Sequence, residues 1–135
     1  MRLRLIWLAA FHLFLPLNAG TAEDTIDFAT EIIPVLTRYG CNSGACHGAA
    51  AGRGGFHLSL LGGDANADYS AIVHQFEGRR VNISYPDRSL LLAKPTGDLD
   101  HGGDALFAPD SPPAELLRKW INSGASNGQG QALIS

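Results

Sequence analysis

The stretch Cys41-Asn42-Ser43-Gly44-Ala45-Cys46-His47 decides how this chain is read. Two cysteines followed at once by a histidine are the arrangement through which a haem is covalently attached: each thiol adds to one vinyl group of the porphyrin, and the adjacent imidazole reaches the iron. Two residues usually separate the cysteines, whereas four separate them here. On these residues alone three readings stay open. A disulfide would close a small loop and suits an exported protein. Zinc has no second cysteine pair to draw on and would need His47 together with a distant histidine or carboxylate. Haem attachment employs all three residues at once.

The amino terminus bears on the choice through the compartment. Arg2 and Arg4 precede an apolar run over residues 5–17, and Gly20-Thr21-Ala22 supplies small residues for cleavage. That order is a secretory signal over residues 1–22, with a periplasmic or otherwise exported destination. The run is short for a bilayer span and is broken by Pro16, so no stable membrane span is expected once the signal is removed; an uncleaved anchor is the alternative. No cysteine lies at the cleavage point to take a lipid.

The mature chain has room for one domain with a modest core, which a buried macrocycle would enlarge. Loss of Arg2 and Arg4 leaves 8 basic side chains against 13 acidic ones, a net charge of −5. That balance argues against nucleic acid and leaves a basic protein partner open. No internal repeat is visible.

Apolar residues at helical spacing, Phe28, Ile32, Leu36 and Tyr39, predict a helix over 25–39 that Gly40 ends. Pro34 means that it either starts late or bends. Residues 48–55, Gly-Ala-Ala-Ala-Gly-Arg-Gly-Gly, carry almost no side-chain volume. They allow backbone to approach a flat ligand, or form a surface loop; no Gly-Lys-Ser/Thr ending marks a phosphate loop. Phe56, Leu58 and Leu60 alternate with His57 and Ser59, as in a short extended segment. Short helices are expected over 67–76 and 86–93, followed by a polar loop over 95–109 that carries His101. Ser111 is read as the cap of a final helix opened by Pro112, with Leu116, Leu117, Trp120 and Ile121 on its apolar face and Gly124 at its end. Residues 126–135 are small and polar and read as a flexible tail.

In this order the motifs resemble a known family. Residues 28–48 ending in Cys46-His47-Gly48, then Gly52-Arg53-Gly54-Gly55-Phe56, Gly78-Arg79-Arg80-Val81, 86–97, His101-Gly102-Gly103 and 116–125 around Trp120-Ile121 are similar to the c-type cytochrome domain of the planctomycete-type exported cytochrome family. The resemblance covers nearly all of the mature chain. It implies an all-α, class I cytochrome c-like fold over residues 23–125, with the terminal helices packed together, long glycine-rich loops and haem c in the cleft. Cys41 and Cys46 would then form the thioethers, around a bridge of small residues that bulges outward, and His47 would be the proximal iron ligand.

The sixth position is constrained further by composition, since the only methionine is Met1, which leaves with the signal. His57, His74 and His101 are the candidates. His101 is the expected distal ligand, because its loop precedes the final helix, where that ligand arrives in small cytochromes c. Two nitrogens on the iron leave no site for substrate, so the expected role is electron transfer to unidentified redox partner proteins rather than catalysis. An open position would instead suit a haem enzyme or gas sensor, and an oxidised cysteine pair a haem-free secreted interaction module. Arg53, Arg79 and Arg80 are candidates for pairing with haem propionates, or face water.

Overall fold

The computed structural model describes residues 25–102 and 104–128. The expected signal segment and the last part of the expected tail lie outside these residues. Every named element among the described residues is helical, and an isolated bridge joins Arg53 to Phe56. The all-α expectation holds at this level.

The first helix shows how Pro34 is accommodated. Without an N–H, Pro34 cannot donate to the preceding turn. The chain therefore opens as a π-helical turn, Phe28–Ile32, in which the Ile33 N–H reaches back to the Phe28 carbonyl, and only then tightens into α1, Ile33–Arg38. Asp27 starts the turn by accepting from the Thr30 amide and hydroxyl, both at 2.8 Å. Gly40 ends α1 with φ +72, and the end is a Schellman motif: Gly40 donates to the Thr37 carbonyl and Cys41 to that of Leu36, at 3.1 and 2.8 Å.

Three more α-helices follow among the described residues: α2, Ala65–Val73; α3, Leu90–Ala93; and α4, Pro112–Asn122. The helix expected over 67–76 breaks early, because Phe76 and Glu77 take positive φ values within a 3-10 turn, Gln75–Gly78. The helix expected over 86–93 is split at the extended Ser89 into a 3-10 turn, Pro86–Arg88, and α3. Residues 56–60 form no strand; Leu58 is fully buried, whereas Leu60 lies on the surface.

Ser111 stands at the N-cap of α4 without capping it through its side chain. Pro112 and Pro113 take two first-turn donors away and leave only Ala114 within a cap's reach; the Ser111 hydroxyl instead donates to the Ala108 carbonyl at 2.6 Å.

The two ends of the described chain meet in the core. The Phe28 ring sits 5.4 Å from Trp120 and 5.3 Å from Tyr69, and Ile32, Leu36, Ile72, Leu92, Leu117 and Ile121 close around them. Polar atoms on these aromatics find partners just beyond α4: Tyr69 Oη donates to the Ala125 carbonyl and Trp120 Nε1 to that of Ser126, at 2.9 and 2.8 Å. Asn127 donates to Asn66 at 3.2 Å, so the start of the expected tail is tied to the body of the fold. Among the described residues no helix is long and apolar enough to cross a membrane.

Candidate functional site

The Schellman turn delivers Cys41 to the start of a tight loop. Cys46 donates to the Ser43 carbonyl, His47 to that of Cys41 and Gly48 to that of Ser43, at 3.0, 3.0 and 2.9 Å. The longer bridge between the cysteines is thereby folded into turns, with Gly44 and Ala45 exposed at its tip. Asn42 points inward, fully buried, and donates to Thr37 Oγ1 at 2.8 Å. Gly48 is required by close approach: a Cβ there would run into the Asn42 carbonyl, which also accepts from the Leu61 amide.

Both cysteines are free thiols and half-buried. Burial, with the neighbouring Cys46 charge adding to it, pushes the Cys41 thiol up to about 11, so at neutral pH it carries its proton.

His47 is oriented from two sides. Its Nδ1 donates to the Phe56 carbonyl at 3.1 Å, and its ring lies 4.6 Å from that of Phe56. This bond leaves Nε2 as the nitrogen with a lone pair to give. Burial lowers the imidazole pKa, and His101 and Arg80 push in the same direction, so the ring is held in the neutral form a metal takes. The Phe56 carbonyl is itself fixed by the Arg53 amide at 2.9 Å, while Leu58 donates to the His47 carbonyl at 2.8 Å.

His101 is the histidine that the fold brings to His47. The two ring centroids are 6.1 Å apart and the ring planes differ by 20°. The loop carrying His101 is pinned at its base by three bonds: Leu99 to the Ala93 carbonyl, Lys94 Nζ to that of Asp100, and Leu106 to that of Pro95, at 3.0, 2.8 and 2.8 Å. Beside His101, Gly102 has open space where a Cβ would stand. The other two candidates are elsewhere. His57 is exposed, and His74 is exposed with its ring against Tyr69 at 5.4 Å.

No protein-family model, curated protein or solved structure matches this chain. The residues themselves therefore carry the test of what the site accepts. Two imidazoles that give a nitrogen to one metal ion from opposite sides at about 2 Å have their centroids roughly 6 Å apart with the rings end-on to each other; His47 and His101 match that separation, at 6.1 Å, as a stacked pair. Among the described residues no group of three or more His, Cys, Asp or Glu is gathered to cage an ion by itself. A haem needs no such cage, since its ring supplies the remaining nitrogens and the protein adds only axial ligands and, in the c-type, two sulfurs. The donor set fits a haem better than it fits zinc.

Two contributors escaped the sequence. Phe56 reads as one apolar residue of an alternating segment, yet its carbonyl and its ring both bear on His47. Arg80 reads as a propionate partner or a surface residue, yet it is buried, donating through Nη1 to the Ala71 carbonyl and through Nη2 to that of Gly55, at 2.9 and 3.1 Å. Arg53 and Arg79 are exposed. A buried cation inside Gly-Arg-Arg-Val is a signal that composition cannot rank, because the two arginines are adjacent and only the fold tells them apart.

Proposed function

We propose that this chain is an exported monohaem c-type cytochrome that serves electron transfer, in a class I cytochrome c-like fold in which His47 and His101 would hold the haem iron and Cys41 and Cys46 would bind the ring as thioether sulfurs. The observation that carries the reading is the 6.1 Å spacing of the two imidazoles beside the cysteine pair. Bound haem supplies a centre that exchanges single electrons without rearrangement of the protein. The side chains would do the rest. Burial would keep His47 neutral while the Phe56 carbonyl keeps it in one tautomer, and His101 would take the coordination position on the iron that a substrate would otherwise use. The Phe28 and Trp120 contact joins the two ends of the domain in one core. An unidentified redox partner is expected at the exposed edge of this region.

The test is expression of the full chain with a c-type haem maturation system. Haem that stays on the polypeptide through denaturing electrophoresis, with a mass equal to the mature chain plus haem, supports the proposal. A colourless folded protein lighter by two hydrogens, with its sulfurs joined, overturns it.

A further inference from the structure

Arg80 is more than nine-tenths buried, and neither of the ion pairs recorded among the described residues includes it. Placing a guanidinium there is costly unless its donors are satisfied. Two carbonyls receive it, Ala71 at the last part of α2 and Gly55 in the turn before Phe56. Its Cζ lies over the Phe56 ring, 4.2 Å from the centroid, and over the exposed Phe76 ring at 5.2 Å. One side chain thus grips the 53–56 turn twice, by the Gly55 carbonyl and by the Phe56 ring. Phe56 is the residue whose carbonyl accepts from His47 Nδ1 and whose ring packs on the imidazole.

We propose that Arg80 is a positioning residue for His47: by clamping Gly55 and Phe56 to α2, it holds the Phe56 carbonyl where it fixes the His47 tautomer and ring angle. The clamp needs the planar fork as well as the charge. Lysine keeps the charge but has neither the flat face for the Phe56 ring nor the geometry to reach two carbonyls at once. The use made of the clamp rests on the reading of His47 as an iron ligand, whereas the clamp itself is a property of the polypeptide and is measurable whether or not haem is attached.

The experiment follows solvent exchange of the His47 Nδ1 proton by nitrogen-15 NMR in the full chain, reduced if it carries haem. Exchange of the Trp120 Nε1 proton, bonded to the Ser126 carbonyl and without a recorded contact to Arg80 or Phe56, reports general loosening. In the wild-type chain the Nδ1 proton should be protected. In Arg80→Met and Arg80→Lys its exchange should accelerate at least tenfold more than that of Trp120, and Phe56→Leu, which keeps the carbonyl and removes the ring, should act in the same direction. Arg79→Met should leave it unchanged. An unprotected Nδ1 proton in the wild type overturns the clamp without any variant, and so does equal acceleration at His47 and Trp120. A colourless chain with a protected Nδ1 proton would sink the haem proposal and leave the clamp standing; a haem-loaded chain with an unprotected proton would do the reverse.

Discussion

The imidazoles of His47 and His101 stand 6.1 Å apart, their planes within 20° of parallel, although one sits in a loop behind the first helix and the other in the loop before the last. Among the described residues neither loop carries a named helix or strand. Each is anchored at its base by backbone hydrogen bonds, His47 through the Schellman end of α1 and His101 through Ala93, Lys94 and Pro95. The pair is a product of two independently fastened loops, and its consequences are open to measurement one residue at a time.

Removing His101 should open one axial side. Reduced His101→Ala protein is expected to bind carbon monoxide at neutral pH, with a shift of its Soret band, while the wild type, His57→Ala and His74→Ala do not. Binding by the wild type at the same pH would show that the position is already vacant and would turn the reading toward a gas sensor or haem enzyme.

The buried Cys41 thiol gives an alkaline test. Its pKa rises from 9.0 to about 11 in the fold, through burial first and the Cys46 charge second. Between those values the unfolded chain has already lost the proton that the native chain retains, so stability is full below pH 9 and falls as pH rises toward 11. The loss should amount to roughly 2 kcal/mol in the reduced, haem-free protein, read from urea unfolding. Cys41→Ser should lack this alkaline limb. Haem-loaded protein should lack it as well, because a thioether sulfur has no proton to lose, and a limb of equal size in the loaded protein would mean that Cys41 is not bonded.

Phe28 joins the ends of the domain through Trp120 and Tyr69. Phe28→Ala should cost about 3–5 kcal/mol, as a large buried aromatic leaves a cavity that its neighbours fill only in part. Thermal unfolding by circular dichroism checks the loss, and a cost under ~1 kcal/mol would remove this contact from the account of how the ends are held.

Gly48 should not tolerate even a methyl group. Its Cβ would meet the Asn42 carbonyl, whose acceptance from Leu61 fastens the loop after His47. Gly48→Ala is expected to destabilise by about 1–3 kcal/mol and to lower haem incorporation during maturation. The exposed Gly54, where a Cβ would meet nothing, serves as the control for added bulk in the same loop, although its φ of +59 carries a strain of its own.

What was legible in the sequence was local. The helical spacing of Phe28, Ile32 and Leu36, the stop at Gly40, the apolar face of α4 around Trp120 and the histidine after Cys46 each depend on neighbours within a few positions, and periodicity and backbone sterics are enough to read them. Elements with a competing local demand depart from simple periodicity, in the case of Pro34 as its expected late start or bend. Pro34 widened its turn, Ser89 divided a short helix, the Ser111 hydroxyl bonded the Ala108 carbonyl in place of its helix, and positive φ values at Phe76 and Glu77 shortened another.

The sequence by itself determined that a Cys-Cys-His loop follows a helix ended by glycine and that three histidines compete to join it. Only the tertiary structure decided that His101 faces His47 while His57 and His74 face solvent, and that Arg80 rather than Arg79 lies beneath Phe56. The reason is that ring separation and burial depend on how distant segments pack around Phe28 and Trp120, and no spacing along the chain encodes those distances.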